Sequence, residues 1–180
     1  MAYSAATGFR LRGGLYGNIE PAAAQAYIIG NSATIKSNDA VRLNTAGYLV
    51  RSAGGEPVLG IAVALTDLNG LNIFTPQATG LTGSTLTEDD QVAVSSTNQS
   101  DATRNIKALV QLDPAGALLW YNDANGDLAA TNVPQMFDVA SGSNQIDQAT
   151  ATDTQAQFQL IKIDPDGDAD LSKGLFRIAE

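Results

Sequence analysis

Between Tyr27 and Leu65 the chain reads YIIGNSATIKSNDAVRLNTAGYLVRSAGGEPVLGIAVAL, a series of short apolar runs separated by turn signals. Runs of this length suit strands and are too short for the 10–12 residues or so that an amphipathic helix needs to show its period. Val41-Arg42-Leu43 and Tyr48-Leu49-Val50 flank Asn44-Thr45-Ala46-Gly47, a connection whose glycine can take the positive φ that such a turn requires. That pattern predicts a hairpin. After the break at Ser52–Pro57, Val58–Leu65 combines β-branched residues with small spacers, which predicts a buried strand.

The same texture continues to the C-terminus. Strands are expected at 70–74, 91–94, 105–112, 136–139, 157–163 and 174–178, and a second hairpin at 118–130, where Leu118–Tyr121 and Leu128–Ala130 flank the turn signal Asn125-Gly126. The fold class that follows is all-β: a single barrel-like or sandwich domain of short antiparallel strands. Residues 1–25 read as an extended N-terminal arm, with low periodicity, four glycines in the first twenty residues and a possible helical turn opened by Pro21. Residues 26–180 form the β domain, with a hint of two similar halves at about 26–85 and 91–180.

Hydrophobic residues make up 44% of the chain and charged residues 16%, so it carries enough apolar surface to fold. The net charge of −9 repels phosphate backbones and argues against direct nucleic-acid binding. The arm runs against that sign, because Arg10 and Arg12 outweigh Glu20 in the first twenty residues. There is no cysteine and no histidine, which removes disulfides, thiolate metal sites and the commonest general base. No run approaches the ~20 apolar residues of a membrane helix, and no signal-peptide pattern precedes the β region.

Few residue groups suggest chemistry. Asp164, Asp166, Asp168 and Asp170 alternate along one loop and are weak calcium-ligand candidates; the spacing departs from the helix-loop-helix calcium motif, since Gly167 falls at the fourth position and Leu175 at the twelfth. A solvated turn is the favoured reading there, and no metal or other cofactor is called for. Glu88, Asp89 and Asp90 look like an exposed turn instead of a catalytic pair, so no enzyme activity is expected. Trp120 and Tyr121 read as core or interface before they read as a sugar platform, and Asn98-Gln99-Ser100 is a glycosylation sequon without a secretory context.

Three stretches carry a family resemblance: the glycine-rich arm through Gly17-Asn18-Ile19-Glu20-Pro21, the run Ser37–Leu43 with Gly47-Tyr48-Leu49-Val50, and Pro57-Val58-Leu59-Gly60-Ile61-Ala62. In these the chain resembles the decoration or cement proteins of tailed-bacteriophage capsids, including those with a β-tulip or β-barrel body and an extended N-terminal arm. The resemblance covers about a third of the sequence. It implies a non-enzymatic virion protein on the outer capsid surface, bridging subunits of the major capsid protein, often as a homotrimer. Phe9, Arg10, Leu11, Arg12, Leu15 and Tyr16 are then the capsid-contact candidates, with the arm adding strand-like hydrogen bonds to its partner. The alternatives are a β-sandwich binding module, such as a carbohydrate- or calcium-dependent adhesin using Trp120, Tyr121 and the aspartate loop, and a shell or tail-tube subunit.

Overall fold

A computed structural model describes residues 8–14, 23–67, 69–70, 91–93, 98, 105–140, 144–163, 167 and 169–179. The fold is all-β: twelve strands and two single 3-10 turns, Ala130–Asn132 and Gln148–Thr150, make up its regular structure among the described residues. Two compact units share the chain. The first comprises Met1–Ala22, Ser52–Val58 and Asp113–Glu180 as far as they are described, the second Ala23–Arg51 and Leu59–Leu112.

The first unit holds β1 (Arg10–Gly14), β9 (Leu118–Asp123), β10 (Met136–Phe137), β11 (Phe158–Ile163) and β12 (Lys173–Ile178) in one antiparallel sheet of order β1-β9-β12-β11-β10. Its core is aromatic. Phe9, Trp120, Phe137, Phe158 and Phe176 are fully buried, Phe9 stacks on Phe158 at 4.2 Å between ring centroids, and Phe137 meets Phe176 edge-on. Each such ring removes a large apolar area from water, and the paired geometries add about 0.5–1.5 kcal/mol beyond that area.

The second unit is aliphatic. Its main sheet runs β2 (Gln25–Ile28), β8 (Lys107–Leu112), β6 (Gly60–Thr66), β4 (Ala40–Leu43), β5 (Leu49–Arg51), beside a ribbon of β3 (Thr34–Lys36) and β7 (Gln91–Ala93). Ile29, Ile35, Val41, Leu49, Ala62, Leu65, Ala108 and Val110 form its core. The expected first hairpin is present, with Val41 opposite Arg51 and Leu43 opposite Leu49. Asn44 Oδ1 accepts the N–H groups of Ala46 and Tyr48, and Gly47 sits at φ 82°, so turn chemistry and register agree. The expected strand at Val58–Leu65 is β6, and Gly60 within it is a close-approach position: a Cβ there would lie 2.3 Å from the Gln111 carbonyl of β8.

Two expectations need correction. Leu128–Ala130 is not a strand. Asn125-Gly126 does make a bend, but Leu128 donates to the Leu171 carbonyl, a 3-10 turn follows, and β9 pairs with β1 and β12. The chain passes between its two compact units at Leu112/Asp113, with Ser52–Val58 belonging to the first, and β8 stands between β2 and β6 in the second. Gln25 and Ala26 are strand, not helical turn. Of the strand expected at 70–74, residues 71–74 lie outside the described residues, as do the acids Glu88–Asp90.

Candidate contact surface

Within the segment expected to be an arm, Arg10–Gly14 is an extended strand laid on its own chain. β1 pairs antiparallel with β9, Arg10 opposite Tyr121 and Leu11 opposite Trp120, then slips by one residue so that Gly13 faces Leu119. The slip bulges the strand at Arg12, and a bulge twists an edge and re-aims its side chains. Phe9, immediately before it, is 0% exposed and anchors the strand by its stack on Phe158, whereas Leu11 is 37% exposed. Arg12 extends its guanidinium over the Tyr121 ring at 5.2 Å from the centroid, a cation–π contact worth about 0.5–1 kcal/mol at an exposed position.

The contact candidates therefore divide. Phe9 is core of the first unit and is not available to a partner in this conformation. Leu11 and Arg12 lie on the exposed part of β1, at the edge of the sheet among the described residues, with Arg10 half-buried beside them. Leu15 and Tyr16 lie outside the described residues.

Arg10 also belongs to a charged group at the far end of β9. Asp123, buried in register with Lys173, has its carboxyl pushed up first by burial and then by Asp170, against the opposing pull of Lys173 and Arg10. Asp170 shifts the other way, because Oδ1 accepts the Ser172 hydroxyl at 2.6 Å and Ser172 N–H at 3.1 Å while Oδ2 pairs with Lys173 at 3.1 Å. Of the four calcium candidates, Asp170 is thus committed to a turn, and Asp164, Asp166 and Asp168 lie outside the described residues. No group of three or more His, Cys, Asp or Glu that could hold a metal occurs among the described residues. Trp120 is 0% and Tyr121 2% exposed, so neither offers a ring face to a sugar.

Two features had no clear sequence signal. Asn98, read as the head of a sequon, is 1% exposed; its Nδ2 donates to the Ile29 carbonyl at 2.7 Å and its Oδ1 accepts Ile106 N–H at 2.9 Å, tying the end of β2 to the approach to β8. Gln157 is also buried. Its Nε2 donates to Ser52 Oγ and to the carbonyls of Ala53 and Glu56, while Oε1 accepts Val139 N–H, fixing the Ser52–Val58 loop into the first unit. Around it lies a half-open cleft of about 530 Å³, lined by Glu56, Pro57, Val58, Asp138, Gln155 and Gln157 among others. Its walls come from four separate stretches, so no local motif announces it.

Among the described residues no helix is long and apolar enough to cross a membrane. The sequence matches no protein-family model, and neither the curated proteins nor the solved structures include a significant match to it.

Proposed function

We propose that the chain is a structural virion protein that binds the outer surface of a phage capsid and cements neighbouring capsid subunits. The observation that carries the reading is β1, a strand at the sheet edge that is rooted by a buried Phe9 and turns Leu11 and Arg12 outward from an acidic chain. A sheet edge offers backbone groups to an incoming strand, and exposed side chains on it set which strand fits. The family resemblance supplies the partner, the major capsid protein, and a trimeric state, which would multiply weak single contacts through avidity.

Leu11→Asp tests the reading without touching the core, since Leu11 is already exposed. The full-length protein should co-sediment with capsids assembled from the major capsid protein of the same genome, and Leu11→Asp should lose that binding while melting like the parent. Equal binding by both would refute β1 as the contact. Absence of binding by the parent would refute the function itself.

A further inference from the structure

In the second unit, Asp39 lies in the turn between β3 and β4 with its side chain 1% exposed. Its Oδ2 accepts Lys36 N–H at 2.9 Å and stands 3.9 Å from Arg51 Nε at the end of β5, a long contact for an ion pair. Among the described residues its Oδ1 is buried without a hydrogen bond, as is Ser37 Oγ in the same turn. The turn is fastened to β6 by Asn38 N–H to the Ala62 carbonyl at 2.6 Å and by Ala62 N–H to the Asp39 carbonyl at 2.9 Å. One carboxyl group therefore stands where β3, β4, β5 and β6 meet.

The charges acting on it are Arg51 from β5 and Lys36 from β3. β6 has no ionisable residue, and Arg42 on β4 directs Nη1 to the Leu43 carbonyl at 3.4 Å. A carboxylate with an unpaired oxygen in such a site is costly, and a proton lowers that cost by removing the buried charge.

We propose that the Lys36–Asp39 turn is a proton-operated latch: a solvent proton taken up by the Asp39 carboxylate tightens the junction of β3, β4, β5 and β6, and its release loosens that junction as the solution moves from mildly acidic to neutral. Burial outweighs the attraction of Arg51, the Lys36 hydrogen bond and the Lys36 charge, and raises the carboxyl from 3.8 to about 6. The unfolded chain gives up this proton near the lower value and the folded chain near the higher, so between them the folded state binds more protons. The contribution to stability is complete below the lower value and is lost as pH rises through the higher one. Arg51, whose side chain is 22% exposed, stays solvated when its partner is neutral.

The test uses the full chain, with NMR of carboxyl-labelled aspartate and native-state amide exchange between about pH 4 and pH 7.5, corrected for intrinsic rates. Asp39 should titrate near pH 6, and the opening constant of amides in β4, β6 and β8 should rise about a hundredfold more in the parent than in Asp39→Asn, the equivalent of two pH units. Amides in β11 and β12 of the first unit should show no such difference. Titration in the ordinary carboxylate range, or parallel profiles for parent and Asp39→Asn, would overturn the latch. Should Asp39→Asn not fold, Arg51→Gln serves, because it removes the strongest influence holding the proton affinity down. Its transition must move to higher pH, and one that stays or falls overturns the proposal equally.

Discussion

Phe9→Ala separates a core role for the segment before β1 from a contact role. Phe9 is 0% exposed and stacked on Phe158 at 4.2 Å, so truncation removes a buried ring and leaves a cavity against a second buried ring. Losses for buried Phe→Ala are about 3–5 kcal/mol. Against a domain stability of roughly 5–15 kcal/mol this is a large fraction, equivalent to a fall in melting temperature on the order of 10–30 °C for a unit of this size. The readout is built in: Trp120, the single tryptophan, lies opposite Leu11 in the β1–β9 ladder. Its fluorescence should shift to longer wavelength at a lower temperature in Phe9→Ala, and amide exchange along β9 should accelerate even where β1 detaches without global unfolding. A variant that melts and exchanges like the parent but loses capsid binding would refute the assignment of Phe9 to the core, and would return it to the contact surface that its place in a glycine-rich arm suggested.

Gly60→Ala should destabilise the second unit by about 1–3 kcal/mol in denaturant melts, because the added methyl meets the Gln111 carbonyl backbone; an unchanged midpoint would contradict the close β6–β8 approach. Asn98→Ala should cost about 1–3 kcal/mol by stranding the Ile29 carbonyl and Ile106 N–H, and the parent should resist glycosylation at Asn98 when offered folded to the enzyme. Adding calcium or chelator should leave the melting temperature unchanged, since Asp170 is already held by Ser172 and Lys173; a chelator-reversible rise with calcium would restore the aspartate loop as a metal site.

The parts of the fold that were legible in the sequence are those decided locally. Asn44 and Gly47 specify both the bend and the register of β4 against β5, so the first hairpin could be read from a dozen residues. Asn125-Gly126 specifies only a bend. The partner of β9 comes from β1 and β12, far off in sequence, and the next residues are tied elsewhere through the Leu128 bond to Leu171. The contact segment was half-legible for a related reason. Phe9 and Leu11 are two apart and should share a face on a regular strand, yet one is buried and the other exposed where the strand begins and bulges. Burial of Asp39 left no trace at all, because Ser37-Asn38-Asp39 has the composition of any solvated turn.

Several buried polar side chains serve the backbone of the loops. Asn98, Gln157, Asn122 and Asp113 each direct hydrogen bonds to backbone groups: Asn122 donates to the Asn144 carbonyl, and Asp113 accepts the N–H groups of Ala117 and Leu118. A fold of short strands exposes many loop N–H and C=O groups that no ladder satisfies, and side chains buried beside them satisfy those groups and hold the loops. Asp39 departs from the pattern by leaving one carboxylate oxygen without a hydrogen bond among the described residues at a four-strand junction, which is why a proton can act there. Leu11 departs from it in the other sense, as an exposed apolar side chain on an edge strand. Each has its own perturbation: Leu11→Asp changes a surface without changing stability, and Asp39→Asn changes the pH dependence of stability without changing that surface. If the chain works as a cement, binding should follow the first substitution and the pH response the second, and a variant that moved both together would show that surface and junction are one system.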